Sequence, residues 1–68
     1  MTFPDRLRQL RKESHLNLYQ LANKAKIGRN TVCEYECGHV EPGAYALCQM
    51  ADALGCSVDY LLGRTDKK

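Results

Sequence analysis

The chain has 68 residues, of which 44% are hydrophobic and 26% charged, with a formal net charge of +2 and four cysteines. That length suits one compact domain with a small core and marginal stability, and it leaves no room within these residues for a second independent domain. No apolar run approaches the length of a bilayer span and the N-terminus lacks a signal-peptide hydrophobic stretch, so a cytoplasmic protein with reduced thiols and no membrane partner is expected.

Thr2 reads as the N-cap of a first helix, with Pro4 in its first turn and Asp5 three residues after the cap. Phe3, Leu7, Leu10 and Ser14 recur at i, i+4, i+7 and i+11, one face of a helix ending near Glu13. Arg11 shares that stripe, and a charge at the edge of a core needs a partner. Asn17 and Gln20 have the spacing of a capping box, and Leu18, Leu21, Ala22 and Ala25 form the apolar face of a short second helix. A break follows over 26–28.

A third helix is predicted from about Arg29 to Cys37, closed by Gly38 as a left-handed cap. Val32 and Tyr35 lie on one side of it. Arg29, Asn30, Cys33, Glu34 and Cys37 fall on the opposite arc at about 100° per residue. After the turn Glu41-Pro42-Gly43, the residues Ala44, Leu47, Cys48, Ala51 and Leu54, with Met50 alongside, define the core face of a fourth helix stopped by Gly55. Ser57 caps a fifth holding Val58, Leu61 and Leu62. Gly63 closes it, and residues 64–68 read as a polar tail. The expected fold is all-α, five short helices in one compact domain over residues 1–63.

Charge is unevenly spread. Residues 1–33 carry Arg6, Arg8, Arg11, Lys12, Lys24, Lys26 and Arg29 against Asp5 and Glu13, while the second half is net acidic. A basic half suits a polyanion, and equally a solvated helix; charge alone does not choose. Cys33, Cys37 and His39 form a C-x3-C-x-H cluster. A structural zinc site needs a second complete ligand pair, which Cys48 and Cys56 do not obviously supply. Buried or half-buried small apolar thiols are expected instead, with no metal and no cofactor. His15 has no nucleophile in a recognisable motif, and there is no glycine-rich phosphate loop or paired-acid signature, so an enzyme is not expected.

A set of fragments then occurs in order. It runs Arg6-Leu7-Arg8-Gln9-Leu10-Arg11, Leu16-Asn17, Leu21-Ala22, Ile27, Arg29-Asn30-Thr31-Val32 and Tyr35-Glu36-Cys37-Gly38. Pro42, Ala51-Asp52-Ala53-Leu54-Gly55 and Ser57-Val58-Asp59-Tyr60-Leu61-Leu62-Gly63 complete it. With these, the stretch from Arg6 to Gly63 resembles the phage repressor and Cro-type helix-turn-helix family, also called the XRE family. Each fragment is weak; the ordered set is specific. Two positions depart. Leu18 stands where the family often has a glutamine that touches phosphate or base. Lys26 stands where the family usually has the turn glycine, and a left-handed conformation there carries strain.

The resemblance implies a lambda-repressor-like domain acting as a sequence-specific DNA-binding transcriptional regulator. Such a protein represses from a two-fold-related operator, as a homodimer on double-stranded DNA, with helix three in the major groove. Arg29 and Asn30 then read bases, Arg gripping guanine O6 and N7, and Asn gripping adenine N6 and N7. Cys33 touches a thymine methyl, and Glu34 accepts from cytosine N4 or repels phosphate. Phosphate contacts fall to Asn17, which also caps helix two, and to Gly28, Thr31, Lys26 and His39. Solvated surface residues are the plain alternative for each. The resemblance also implies a salt bridge between Arg11 and Glu36 that joins helix one to helix three. Tyr60 and Leu62 offer either a dimer interface or core packing. The rival function is an antitoxin, the same fold binding a toxin or other protein partner; a metal-dependent redox sensor would need stoichiometric zinc.

Overall fold

The computed structural model describes residues 2–68. Its helices are α1 (Phe3–Glu13), α2 (Leu18–Ala25), α3 (Arg29–Cys37), α4 (Ala44–Leu54) and α5 (Val58–Leu61), and no strand occurs among the described residues. The all-α architecture is the expected one. α2 lies at the centre, packed on α3 and α4, while α1 closes the domain by packing on α3 and α5. Leu7, Leu21, Val32, Met50 and Leu61, one from each helix, are fully buried and meet in one core.

The caps explain where the helices start and stop. The Asn17 side chain accepts from the Gln20 backbone N–H at 2.8 Å, and the Gln20 side chain accepts from the Asn17 N–H at 2.9 Å, a reciprocal capping box. Ser57 Oγ accepts from the Tyr60 N–H at 3.0 Å. Gly38 closes α3 with φ 79°, a conformation in which a side chain is strained. Residues 64–68 fold back on α5: the Ser57 N–H donates to the Lys68 carbonyl at 2.9 Å, and the Lys68 ammonium lies 3.6 Å from the Glu13 carboxylate.

α4 corrects the predicted core face. Met50 is fully buried and Ala53 joins Ala51 in the core, whereas Ala44 and Cys48 are exposed. The helix packs against both α2 and α5, so its buried arc centres on Met50. The predicted stripe followed alanine and cysteine, which are too small to dictate the face. Cys48 and Cys37 are both exposed, contrary to the expectation of buried or half-buried thiols; Cys33 and Cys56 are half-buried.

Two left-handed non-glycine residues close α1 and α2. Lys26 has φ 60° and ψ 43°, and the following Ile27 N–H donates back to the Ala22 carbonyl at 2.9 Å. His15 has φ 60°, with the Leu16 N–H donating to the Arg11 carbonyl at 3.1 Å. This is the geometry in which glycine is the usual residue. Lys26→Gly is therefore expected to stabilise the fold by about 1 kcal/mol through relief of left-handed strain. The check is a higher urea midpoint at unchanged slope. An unmoved midpoint would rule out strain at this turn.

Candidate nucleic-acid interface

α2, the turn over 26–28 and α3 pack together as one unit. α3 is two-faced for a local reason: Val32 and Tyr35 are drawn into the core, which leaves the opposite arc outward. Arg29, Asn30, Thr31 and Glu34 are exposed, and Cys33 is half-buried. Gly28 is the N-cap of α3 with φ −65°, and an added Cβ would meet only Thr31 Oγ1, at 3.6 Å. The fold does not demand glycine there. Its bareness leaves the N-terminal amides of α3 open to approach, which suits an anion.

An open cleft of about 470 Å³ runs between the start of α2 and the exposed side of α3, lined by Arg11, Asn17, Leu18, Tyr19, Arg29, Asn30 and Cys33. The fold thus brings Asn17, Arg29, Asn30 and Cys33 together. Thr31, Glu34, Lys26 and His39 are exposed but lie outside this lining. Tyr19 belongs to the cleft and was not singled out in the sequence. It is 61% exposed, an aromatic at the start of a helix with no place in the apolar stripe, and that misfit was the available signal.

The outward face is held from behind. Glu36 is the buried charged residue of the core, with its side chain 7% exposed. The Arg11 guanidinium grips it with two bonds, Nε to Oε2 at 2.7 Å and Nη2 to Oε1 at 3.1 Å, and Nη1 donates to the Leu16 carbonyl at 2.9 Å. This is the ion pair the resemblance implied. Arg8, which the sequence did not mark, adds a second hold. Its Nη2 donates to the Glu36 main-chain carbonyl at 2.7 Å, and its Nε lies 3.7 Å from the Glu36 carboxylate. The carbonyls of a last helical turn have no intrahelical donor, and a cation there also suits the helix dipole. α1 therefore clamps α3 at both side chain and backbone.

Charge on the exposed side follows from that clamp. Glu36 is neutralised inside, so Glu34 is the exposed acid of α3, set against Arg29 and the neighbouring Lys24 and Lys26. The Cys37 thiol is pushed above its ordinary range, first by its hydrogen bond with the Cys33 thiol and then by desolvation. Among the described residues, no three His, Cys, Asp or Glu are grouped so as to share a metal ion, and no helix is long and apolar enough to cross a membrane.

A helix-turn-helix family model matches residues 7–61. The chain is 38% identical over 64 residues to the HTH-type transcriptional regulator AnsR of Bacillus subtilis (strain 168), an alignment covering 94% of this chain and 55% of AnsR. It spans about half the length of the curated relatives it matches. The solution structure of the DNA-binding domain of the P22 c2 repressor superposes with a TM-score of 0.90 at 26% identity, covering 100% of this chain and 88% of that one. The crystal structure of the P22 c2 repressor in complex with a synthetic operator gives 0.89 at 26% identity, covering 96% of this chain and 98% of that one.

Proposed function

The chain belongs to the helix-turn-helix family, and on that basis we propose that it is a sequence-specific DNA-binding regulator that represses transcription. It acts as a homodimer on a two-fold-related operator and occludes the promoter it covers. The observation that carries this reading is the outward arc of α3, which sets Arg29, Asn30 and Cys33 beside the N-terminus of α2, with Glu34 exposed on the same helix, while α1 holds α3 from behind. A single helix fits the major groove of B-DNA, about 12 Å wide, where each base pair shows a distinct pattern of donors and acceptors. The P22 c2 repressor's operator complex, so close in backbone to this chain, supports the same use of the fold.

The division of labour follows from chemistry. Arg29 and Asn30 read guanine and adenine edges, Cys33 meets a thymine methyl, and Glu34 accepts from cytosine or rejects the wrong register. Asn17, Gly28, Thr31, Lys26 and His39 hold phosphates, and these contacts fix orientation without reading sequence. Asn30→Ala and Arg29→Ala are each expected to weaken binding to the preferred site, selected from a random DNA pool, by about 1–3 kcal/mol, with little effect on random DNA. Parallel titrations on the two DNAs measure the difference. Equal losses on both would defeat base reading by these residues.

A further inference from the structure

Cys33 and Cys37 stand one turn apart on α3, on the same stripe as Asn30, and Cys33 lines the cleft with Arg29 and Asn30. Both are free thiols, Cys33 half-buried and Cys37 exposed. Side chains at i and i+4 of a helix place their Cβ atoms about 5–6 Å apart, whereas a disulfide requires about 3.8 Å. An intact α3 therefore opposes a direct bond between the sulfurs and keeps them as a facing reduced pair. One inserted atom closes that gap. It must favour soft sulfur ligands and need no third protein donor, because no three His, Cys, Asp or Glu are grouped for a metal among the described residues. Zinc, which takes four ligands in structural sites, does not meet that condition. Trivalent arsenic carrying one organic substituent does: it takes two thiolates and keeps its third bond to carbon.

We propose that Cys33 and Cys37 form a dithiol site for trivalent organoarsenicals, and that occupancy of this site shuts the DNA-contacting face of α3. In the reaction, R–As(OH)2 meets two cysteine thiols. Two As–O bonds break and two As–S bonds form, and the two thiol protons leave with the two hydroxides as water. Arsenic stays trivalent and nothing is oxidised. The substituent on arsenic then projects from the C-terminal half of the arc that carries Asn30, where a base edge or phosphate would otherwise sit. This second half rests on the proposed DNA binding; the first half does not.

The test treats the full chain with one equivalent of phenylarsine oxide, which hydrates to the dihydroxide. Intact mass should show one phenylarsenic per chain, and thiol titration should show the loss of two reactive thiols. Ethanedithiol should reverse the adduct and an equal concentration of a monothiol should not. Cys33→Ser and Cys37→Ser should each abolish the stable adduct, and Cys48→Ser should keep it. On the selected DNA site, treatment should weaken the native protein about ten- to a hundredfold, the scale of one lost bidentate base contact. Cys37→Ser should bind as the native protein does, treated or not. Absence of an adduct, or an adduct that survives in Cys33→Ser or Cys37→Ser, overturns the site. An adduct on this pair with unchanged DNA affinity overturns the shutting of the face. Untreated native protein that binds no DNA overturns the proposed function, while the mass measurement still judges the site.

Discussion

Removing the Glu36 carboxylate is expected to cost about 3–5 kcal/mol, a large share of the stability of so small a domain. The Arg11 side chain is 14% exposed and that of Glu36 7%, so both charges have little water to fall back on. Among the described residues, Glu36→Ala leaves the Arg11 guanidinium with the Leu16 carbonyl as its remaining acceptor. Arg11→Ala leaves the carboxylate, among the described residues, with Arg8 at 3.7 Å for a partner. Each single loss strands a charge, whereas the double variant strands none, so the costs should be strongly non-additive. A double-mutant cycle in urea unfolding isolates the coupling. A coupling energy near zero would reject the pair as a stabilising unit. The same variants should loosen α3 on its scaffold, because the bond they remove joins α1 to the far end of that helix.

That pair also shows how far the sequence could be read. Arg11 on the apolar stripe of α1 announced a need for a partner, which is a local inference. The choice of Glu36 was not local; it rested on the family resemblance. Arg8 stood out only as one basic residue of α1 and gave no hint of its target, because that target is a backbone carbonyl, and every residue has one. The caps at Asn17 and Ser57 were legible because a cap and its partner lie three residues apart in the chain. The inward face of α4 was not, because two neighbouring helices select it and neither can be inferred from spacing along α4 itself. His15 adopts a left-handed conformation for which its residue type is only a weak signal. Of the two residues read as interface or core, Tyr60 is capped within the same chain by the Arg6 guanidinium, 4.2 Å from the ring centroid, and Leu62 stays half-buried beside Phe3, Pro42 and Leu47. The outward arc of α3 was largely legible, since one helical period sorts its residues into two faces, although Cys33 is half-buried and Thr31, outside the predicted arc, is exposed.

Selected binding sites should be inverted repeats with half-site centres about 10 base pairs apart, or a multiple of that. The reason is informational. α3 has nine residues, so at about 1.5 Å of rise each it is about 14 Å long and meets only a few base pairs. A genome offers about 10⁶–10⁹ competing positions, and so short a reading frame recurs among them by chance many times. Two copies related by a two-fold axis square the selectivity without any new contact chemistry, because each α3 reads the same half-site in its own orientation. The spacing is then set by the helical turn of DNA, since both reading helices must enter the groove from the same side. Inserting five base pairs between the halves turns them to opposite sides and should reduce binding towards the non-specific level, a fall of about 10³-fold or more. Fluorescence anisotropy with the full site, the five-base-pair insertion and a single half-site supplies the comparison. A half-site bound as tightly as the full site, or an insertion without effect, would eliminate the dimer.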